Sequence, residues 1–160
     1  MKTRFTILVA VFVMAFSYVQ AQEYNSAVGL RFGYPLSVSY KKFLSTQGAM
    51  ELTAGFRSFS GWSWFNIGGY YQHHNAIESV EGLRWYYGGG ANVYFWTFKS
   101  GFSGSSTSIG LSGVLGLDYR FKDIPLNLSV DWIPTFFLNG FDNGFAGGYG
   151  ALSARYILDK

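Results

Sequence analysis

The sequence predicts an all-β protein: an eight-stranded antiparallel up-and-down transmembrane β-barrel. Three observations carry this. The 160-residue chain is only 13% charged, about half the ~25% of soluble domains. It is 21% aromatic, with 16 Phe, 12 Tyr, 5 Trp and 21 Gly. Beyond residue 21, apolar residues recur at every second position instead of in long runs. Such a chain is too aromatic for disorder. With no cysteine it has neither disulfides, nor thiolate metal ligands, nor a cysteine nucleophile. A polypeptide spans a bilayer as apolar helices or as a closed barrel, and the alternation selects the barrel.

The first segment reads as an address. Lys2 and Arg4 precede the apolar run Phe5–Phe16, and Val19 and Ala21 mark a cleavage site after Ala21. Residues 1–21 are therefore a signal peptide and residues 22–160 the barrel domain. A retained anchor is the alternative, but the run is short of the ~20 residues of a spanning helix. Removing 21 of 160 residues, Lys2 and Arg4 among them, leaves 139 residues with ten basic and nine acidic side chains. A balance of +1 with no basic stripe gives no case for nucleic acid.

Eight segments alternate. Val28, Leu30 and Phe32 oppose Gly29, Arg31 and Gly33, and Leu36, Val38 and Tyr40 oppose Ser37, Ser39 and Lys41. Met50, Leu52, Ala54 and Phe56 oppose Glu51, Thr53, Gly55 and Arg57; Phe65, Ile67 and Tyr71 oppose Asn66, Gly68, Tyr70 and Gln72. Over 83–95, Leu83, Trp85, Tyr87 and Val93 oppose Arg84, Tyr86, Asn92 and Tyr94. Over 108–121, Ile109, Leu111, Leu115, Leu117, Tyr119 and Phe121 oppose Ser108, Ser112, Val114, Asp118 and Arg120. Over 126–138, Leu126, Leu128, Val130, Trp132, Phe136 and Leu138 oppose Asn127, Ser129, Asp131 and Thr135. Finally Leu152, Ala154, Tyr156 and Leu158 oppose Ser153 and Arg155. Eight strands of ~10 residues fit this length, and sixteen do not.

With both termini in the periplasm, the turns on that side are 45–48, 74–81 and 122–125. The outer loops are 33–36, 60–62, 97–107 and 140–145, of which 97–107 is long and rich in Gly and Ser. Aromatics gather where strands leave the bilayer. Phe59, Trp62, Trp64, Phe95, Trp96, Phe136 and Phe141 form an outer girdle; Tyr40, Tyr71, Trp85, Tyr119, Phe121 and Tyr156 form an inner one.

A lipocalin-like or sandwich fold, soluble in the periplasm or secreted, would alternate too, with the faces inverted. Its polar face would carry many Lys and Glu. Here that face is Gly, Ser, Asn, Thr and Tyr, which suits a narrow lumen. On this reading Arg31, Lys41, Glu51, Arg57, Arg84, Asp118, Arg120, Asp131 and Arg155 form a lumen charge network, six basic and three acidic. Lys41 and Arg57 are expected near the mouths, where they hydrate. A network that braces and fills the barrel is the expectation; an anion path is the alternative.

Glu81–Val93, Phe121–Trp132 and Gly29–Pro35 resemble segments of small outer-membrane β-barrel proteins of Bacteroidetes-type bacteria (OmpX/OmpA-like). The resemblance covers nearly all of 27–158. It implies assembly in the outer membrane after signal-peptide removal, and little about activity. The C-terminus departs from the aromatic final residue of many barrels: the chain ends Tyr156-Ile157-Leu158-Asp159-Lys160.

Catalytic, cofactor and metal motifs are absent from the sequence. His73 and His74 read as polar turn residues. They are the candidate site if the protein is a lipid A-modifying enzyme, and Asp142 stands alone at the outer rim. Gly88-Gly89-Gly90 sits inside a strand and reads as bare backbone under a bulky neighbour, Tyr70 or Tyr86. The expected function is a non-enzymatic, porin-like barrel of a Gram-negative envelope. Its lumen is filled, and it serves envelope integrity or surface interaction. A narrow solute pore and the lipid A enzyme are the alternatives. Expected partners are outer-membrane lipid, lipopolysaccharide and the barrel-assembly machinery, with a monomer as the expected state.

Overall fold

The computed structural model describes residues 24–98, 105–140 and 144–159. The proposed signal peptide, Phe141, Asp142 and much of the 97–107 loop lie outside them. The described chain is an antiparallel meander: β1 Ser26–Tyr34, β2 Leu36–Phe43, β3 Gly48–Ser58, β4 Trp62–Ala76, β5 Leu83–Phe98 and β6 Ser105–Arg120. Two interrupted strands follow. β7 comprises Leu126–Trp132 and Thr135–Phe137, and β8 comprises Gly144–Ala146 and Gly150–Asp159. Each strand pairs with the next, and β8 returns to β1 with Val28 opposite Tyr156 and Phe32 opposite Leu152. The sheet is therefore a closed eight-stranded barrel, which leaves no long unpaired edge.

The interruptions have local causes. Pro134 has no N–H to give the ladder. The register nevertheless continues across it, from Leu115 opposite Trp132 to Ser112 opposite Thr135, because Gly113 N donates to the Pro134 carbonyl at 2.9 Å. In β8, Thr135 faces Ala146 whereas Trp132 faces Gly150, so β8 holds one extra residue between them. This is a β-bulge at Gly147–Tyr149; Tyr149 keeps the inward parity of Ala151 and Ser153, 7% exposed, while Phe145 beyond the bulge faces out.

Alternation places the greasy face outside. Thirty large hydrophobic side chains are exposed among the described residues, including Leu30, Leu52, Ile67, Leu115, Val130 and Leu152. Their cross-strand partners have the same character: Leu30 faces Ala154, Leu152 faces Val130, and Val130 faces Leu117. The opposite parity is buried and largely polar, so an inverted lipocalin-like arrangement does not describe this chain.

Strand ends differ from expectation in three places. β4 continues to Ala76 and β8 begins at Gly144, so His74 and Gly144–Ala146 are strand residues, not turn or loop. β5 and β6 extend to Phe98 and from Ser105 into the long loop. Trp64 and Trp96 do not join an outer girdle, because both face the lumen, 1% and 2% exposed. Parity governs them: Trp64 extends the row Asn66, Gly68, Tyr70, and Trp96 extends Asn92, Tyr94.

Small radius crowds the inner surface, and glycine relieves it. A Cβ at Gly88 would lie 1.9 Å from the Tyr71 carbonyl oxygen, and one at Gly90 would lie 2.0 Å from that of Gly69. The neighbouring strand itself, not Tyr70 or Tyr86, thus requires this glycine run. Tyr86 instead covers Gly116, where a Cβ would sit 2.6 Å from its ring. Gly90→Val should prevent barrel formation, seen as loss of the heat-dependent gel shift of the folded state. Gly148→Ala, with open space around it, should leave the shift intact.

Candidate functional site

The side chains with chemical potential converge in the lumen, and every strand contributes. Glu51 of β3 lies at the centre. Its Oε1 accepts from Arg31 Nη1 of β1 at 3.0 Å and from Arg155 Nη2 of β8, and its Oε2 accepts from Gln72 Nε2 of β4 at 2.6 Å. Lys41 Nζ of β2 stands 4.0 Å from the same carboxylate. Asp131 of β7 takes both Arg31 nitrogens, at 2.7 and 2.9 Å, and the Tyr86 hydroxyl of β5 at 2.8 Å. Asp118 of β6 receives Lys41 Nζ at 3.1 Å, Asn127 Nδ2 at 2.6 Å and the Tyr24 hydroxyl at 3.3 Å.

Arg155 is held along its whole guanidinium. Nε donates to Ser39 at 2.8 Å, and Nη1 donates to Ser129 at 2.6 Å and to Asn127 Oδ1 at 3.3 Å. Lys41 Nζ also lies 4.5 Å from the Tyr86 ring centroid. Arg31, Lys41 and Arg155 thus face Glu51, Asp118 and Asp131, three cations against three anions. All six are buried. A buried charge is tolerable when paired and hydrogen-bonded, and each of these is both.

The other three basic residues are held differently, and Arg84 lies directly opposite Asp118 in the β5–β6 ladder. Arg57 is half-buried, its guanidinium 4.3 Å from the Tyr34 ring and 5.0 Å from Phe59. Arg84 is buried over Phe43 at 5.7 Å, with Nη1 3.4 Å from the Thr46 carbonyl. Arg120 is half-buried at the end of β6. One expectation is corrected: Lys41 is not near a mouth but fully buried, because Tyr86, Asp118 and Glu51 surround it.

His74 is likewise not a turn residue. It is 1% exposed, stacks on Tyr86 at 4.7 Å, meets Phe43 at 4.9 Å, and shares a hydrogen bond with Gln72 at 3.2 Å. His73 points the other way, against Tyr87 at 5.5 Å. The two rings lie on opposite faces of β4 and do not form one site.

Apolar caps close both ends of the charged layer. At the end carrying the chain termini, Tyr24, Ala27, Phe43, Ala49 and Ile157 pack together, with Tyr24 edge-on to Phe43 at 4.9 Å. At the opposite end, Trp64, Tyr94, Trp96, Phe137 and Tyr149 fill the bore. Tyr94 is the hub there, 5.1 Å from both Trp64 and Phe137 and 6.0 Å from Tyr149. Trp96 Nε1 donates to Ser108 Oγ at 2.9 Å. Period two carried most of this: Gln72, Asn127, Ser129 and Tyr86 share the parity of the charges. Ile133 and Phe137 share the parity of Asp131, and Tyr149 that of Arg155, but as apolar residues they carried no mark of an inner face otherwise read as polar.

Fold and lumen together define a small closed barrel with an apolar exterior and a filled, ionised core. No family model matches the chain, and no curated protein matches it. Among solved structures it is similar to the crystal structure of Neisserial surface protein A (NspA), with a TM-score of 0.51 and 17% identity. The match covers 83% of this chain and 93% of that one. The likeness is one of fold.

Removing the central carboxylate should be the costliest single change in the layer. Glu51→Ala leaves Arg31, Arg155 and Lys41 short of one shared anion, a loss of about 3–5 kcal/mol. Urea unfolding of the protein refolded in lipid vesicles measures it. Glu78→Ala, in an exposed turn, should stay within about 0.5 kcal/mol of the parent.

Proposed function

We propose that this chain is an outer-membrane protein of the small OmpX/OmpA-like kind that its sequence resembles in Bacteroidetes-type bacteria. It is a non-enzymatic monomer contributing to envelope integrity or surface interaction. The observation that carries the reading is the inverted partition: exposed Leu, Val, Ile and Phe cover the wall while the ionised groups lie inside. Water-exposed surfaces seldom carry so large an apolar area. Hydrocarbon requires it, and it also requires the closed hydrogen-bonded sheet that the meander supplies.

Several features support the remaining parts. Tyr40, Tyr71, Trp85 and Tyr156 are exposed towards the terminal end, and Phe59, Phe95 and Phe136 towards the other. Rings at these two levels suit lipid headgroups, with lipopolysaccharide on the outer side. The end of β5 at Phe98 and the start of β6 at Ser105 then lie on the exterior side, where the surface for interaction is proposed. The two apolar caps and the ion layer between them leave little room for solute passage, and His73 and His74 do not converge for lipid A chemistry. On this reading residues 1–21 direct export, and the barrel-assembly machinery inserts residues 22–160.

The first test compares heated and unheated outer-membrane fractions by SDS gel electrophoresis. A heat-dependent mobility shift in that fraction is expected. A soluble periplasmic protein without a shift would reject the assignment. Reconstituted in planar bilayers, the protein should show no steady conductance, and lipid A should have the same mass spectrum with or without it. Leu115→Arg should destabilise the inserted barrel by about 2–4 kcal/mol, and Leu158→Arg near the rim by about 0–1 kcal/mol.

A further inference from the structure

Between the ion layer and the aromatic cap the lumen keeps a small cavity. Its volume is about 20 Å³, and it is lined by Arg31, Ser37, Thr53, Asn66 and Tyr70 on the polar side. Tyr34, Tyr94, Ile133 and Tyr149 cap it. A single water needs about 10–15 Å³ of such space and two to four polar partners. The size admits one water and excludes a sugar, a nucleotide or an acyl chain.

A second observation points to an occupant. Asn66 is 2% exposed, and its Oδ1 is buried without a hydrogen-bond partner. Most buried polar atoms are satisfied, and an orphaned carbonyl forfeits its hydration with nothing in return. The amide nitrogen of Asn66 faces Asn92 Oδ1 at 3.5 Å, and Tyr70 donates to that same Asn92 oxygen at 2.7 Å. The Asn66 carbonyl is thereby left turned away from the Asn92 pair.

Gly55 lies beneath three of the lining residues. The position of a Cβ on Gly55 lies 2.5 Å from Asn66 Oδ1, 2.7 Å from Ser37 Oγ and 2.8 Å from Pro35 Cγ. Ser37, Pro35 and Asn66 all line the cavity. Two oxygens therefore converge over bare backbone, and a Cβ at position 55 would push Asn66 Oδ1 and Ser37 Oγ from their places. Ser37 Oγ donates to the Pro35 carbonyl at 3.1 Å, which leaves its lone pairs to accept.

We propose that this cavity is a binding site for one internal water molecule. The water donates to Asn66 Oδ1 and to Ser37 Oγ and accepts from the Arg31 guanidinium or the Thr53 hydroxyl. Water fits these groups better than a halide would. Two of the nearest partners are acceptors, and Arg31 is already bonded to Glu51 and Asp131. With the water in place, the polar layer runs unbroken from the ion pairs to the aromatic cap. The site stands on the lumen geometry alone and does not depend on where the barrel resides.

The test is a crystal structure of the full mature barrel at a resolution that shows ordered water, before and after bromide exchange. A single peak is expected, about 2.6–3.2 Å from Asn66 Oδ1 and Ser37 Oγ, with no anomalous bromine signal. An empty cavity, or a peak with bromine signal, overturns the proposal. In solution, oxygen-17 relaxation dispersion counts long-lived waters. Gly55→Ala should hold one fewer than the parent, and so should Asn66→Leu, which needs no added volume beside the backbone. An unchanged count in a folded variant of either kind overturns the proposal as well.

Discussion

Everything inside this barrel depends on the neutralisation of charge in a space too narrow for bulk water. Arg31, Lys41 and Arg155 bring three positive charges to the bore, and Glu51, Asp118 and Asp131 bring three negative ones. The desolvation of an ion costs several kcal/mol, and it is offset only by close partners of opposite sign with their remaining hydrogen bonds satisfied. Glu51 meets that requirement by touching two arginines and a glutamine at once. The tyrosines, serines and asparagines around the layer complete its hydrogen bonds, and the apolar caps shield it from both ends. Glycines at Gly88, Gly90 and Gly116 let the wall curve tightly enough to bring the charges together.

Much of this was legible in the sequence because a strand has a period of two and a barrel has two unlike sides. Once Leu30, Leu52 and Leu115 are placed outside, the parity of Arg31, Glu51 and Asp118 follows. Parity says nothing about height along the bore, however. That is why Lys41 and His74 were expected in water and lie instead among Tyr86, Asp118 and Gln72. Composition also misled where it was used in place of parity. Tryptophans close to strand ends suggest an interfacial belt, yet Trp64 and Trp96 obey their alternation and fill the bore. The bulge that sets Phe145 outward while Tyr149 keeps the inner parity of Ala151 left no periodic mark, because glycines at 147 and 148 fit either face.

Pairing partners across the lumen were beyond the sequence for a different reason. Arg155 and Glu51 are 104 residues apart, and Arg31 and Asp131 are 100 apart. Their meeting depends on the stagger of eight strands round a circle, a property of closure and not of any one segment. Arg31, Lys41 and Arg155 make the hydrogen-bonded pairs with the three acids, and the other three basic residues, Arg57, Arg84 and Arg120, are placed differently, Arg84 directly opposite Asp118 in the β5–β6 ladder. Two of those three lean on aromatic rings, Arg57 on Tyr34 and Phe59 and Arg84 on Phe43.

Each strand supplies at least one member of the central layer, and this has a kinetic consequence. A sheet of five or six strands holds the cations of β1 and β2 without Asp131, and it holds Glu51 without Arg155. Partial barrels therefore lack some of the contacts that the closed layer makes. Strands β1–β6 already hold two cations and two anions, and β7 and β8 add one acid and one arginine, so the contacts of Arg155 with Glu51 and Ser39 form only when β8 reaches β1. Contacts this distant in the chain make folding slow and strongly cooperative. The ion layer thus ties the first strands to the last: a barrel short of β8 lacks Arg155, and one short of β7 lacks the second anion of Arg31.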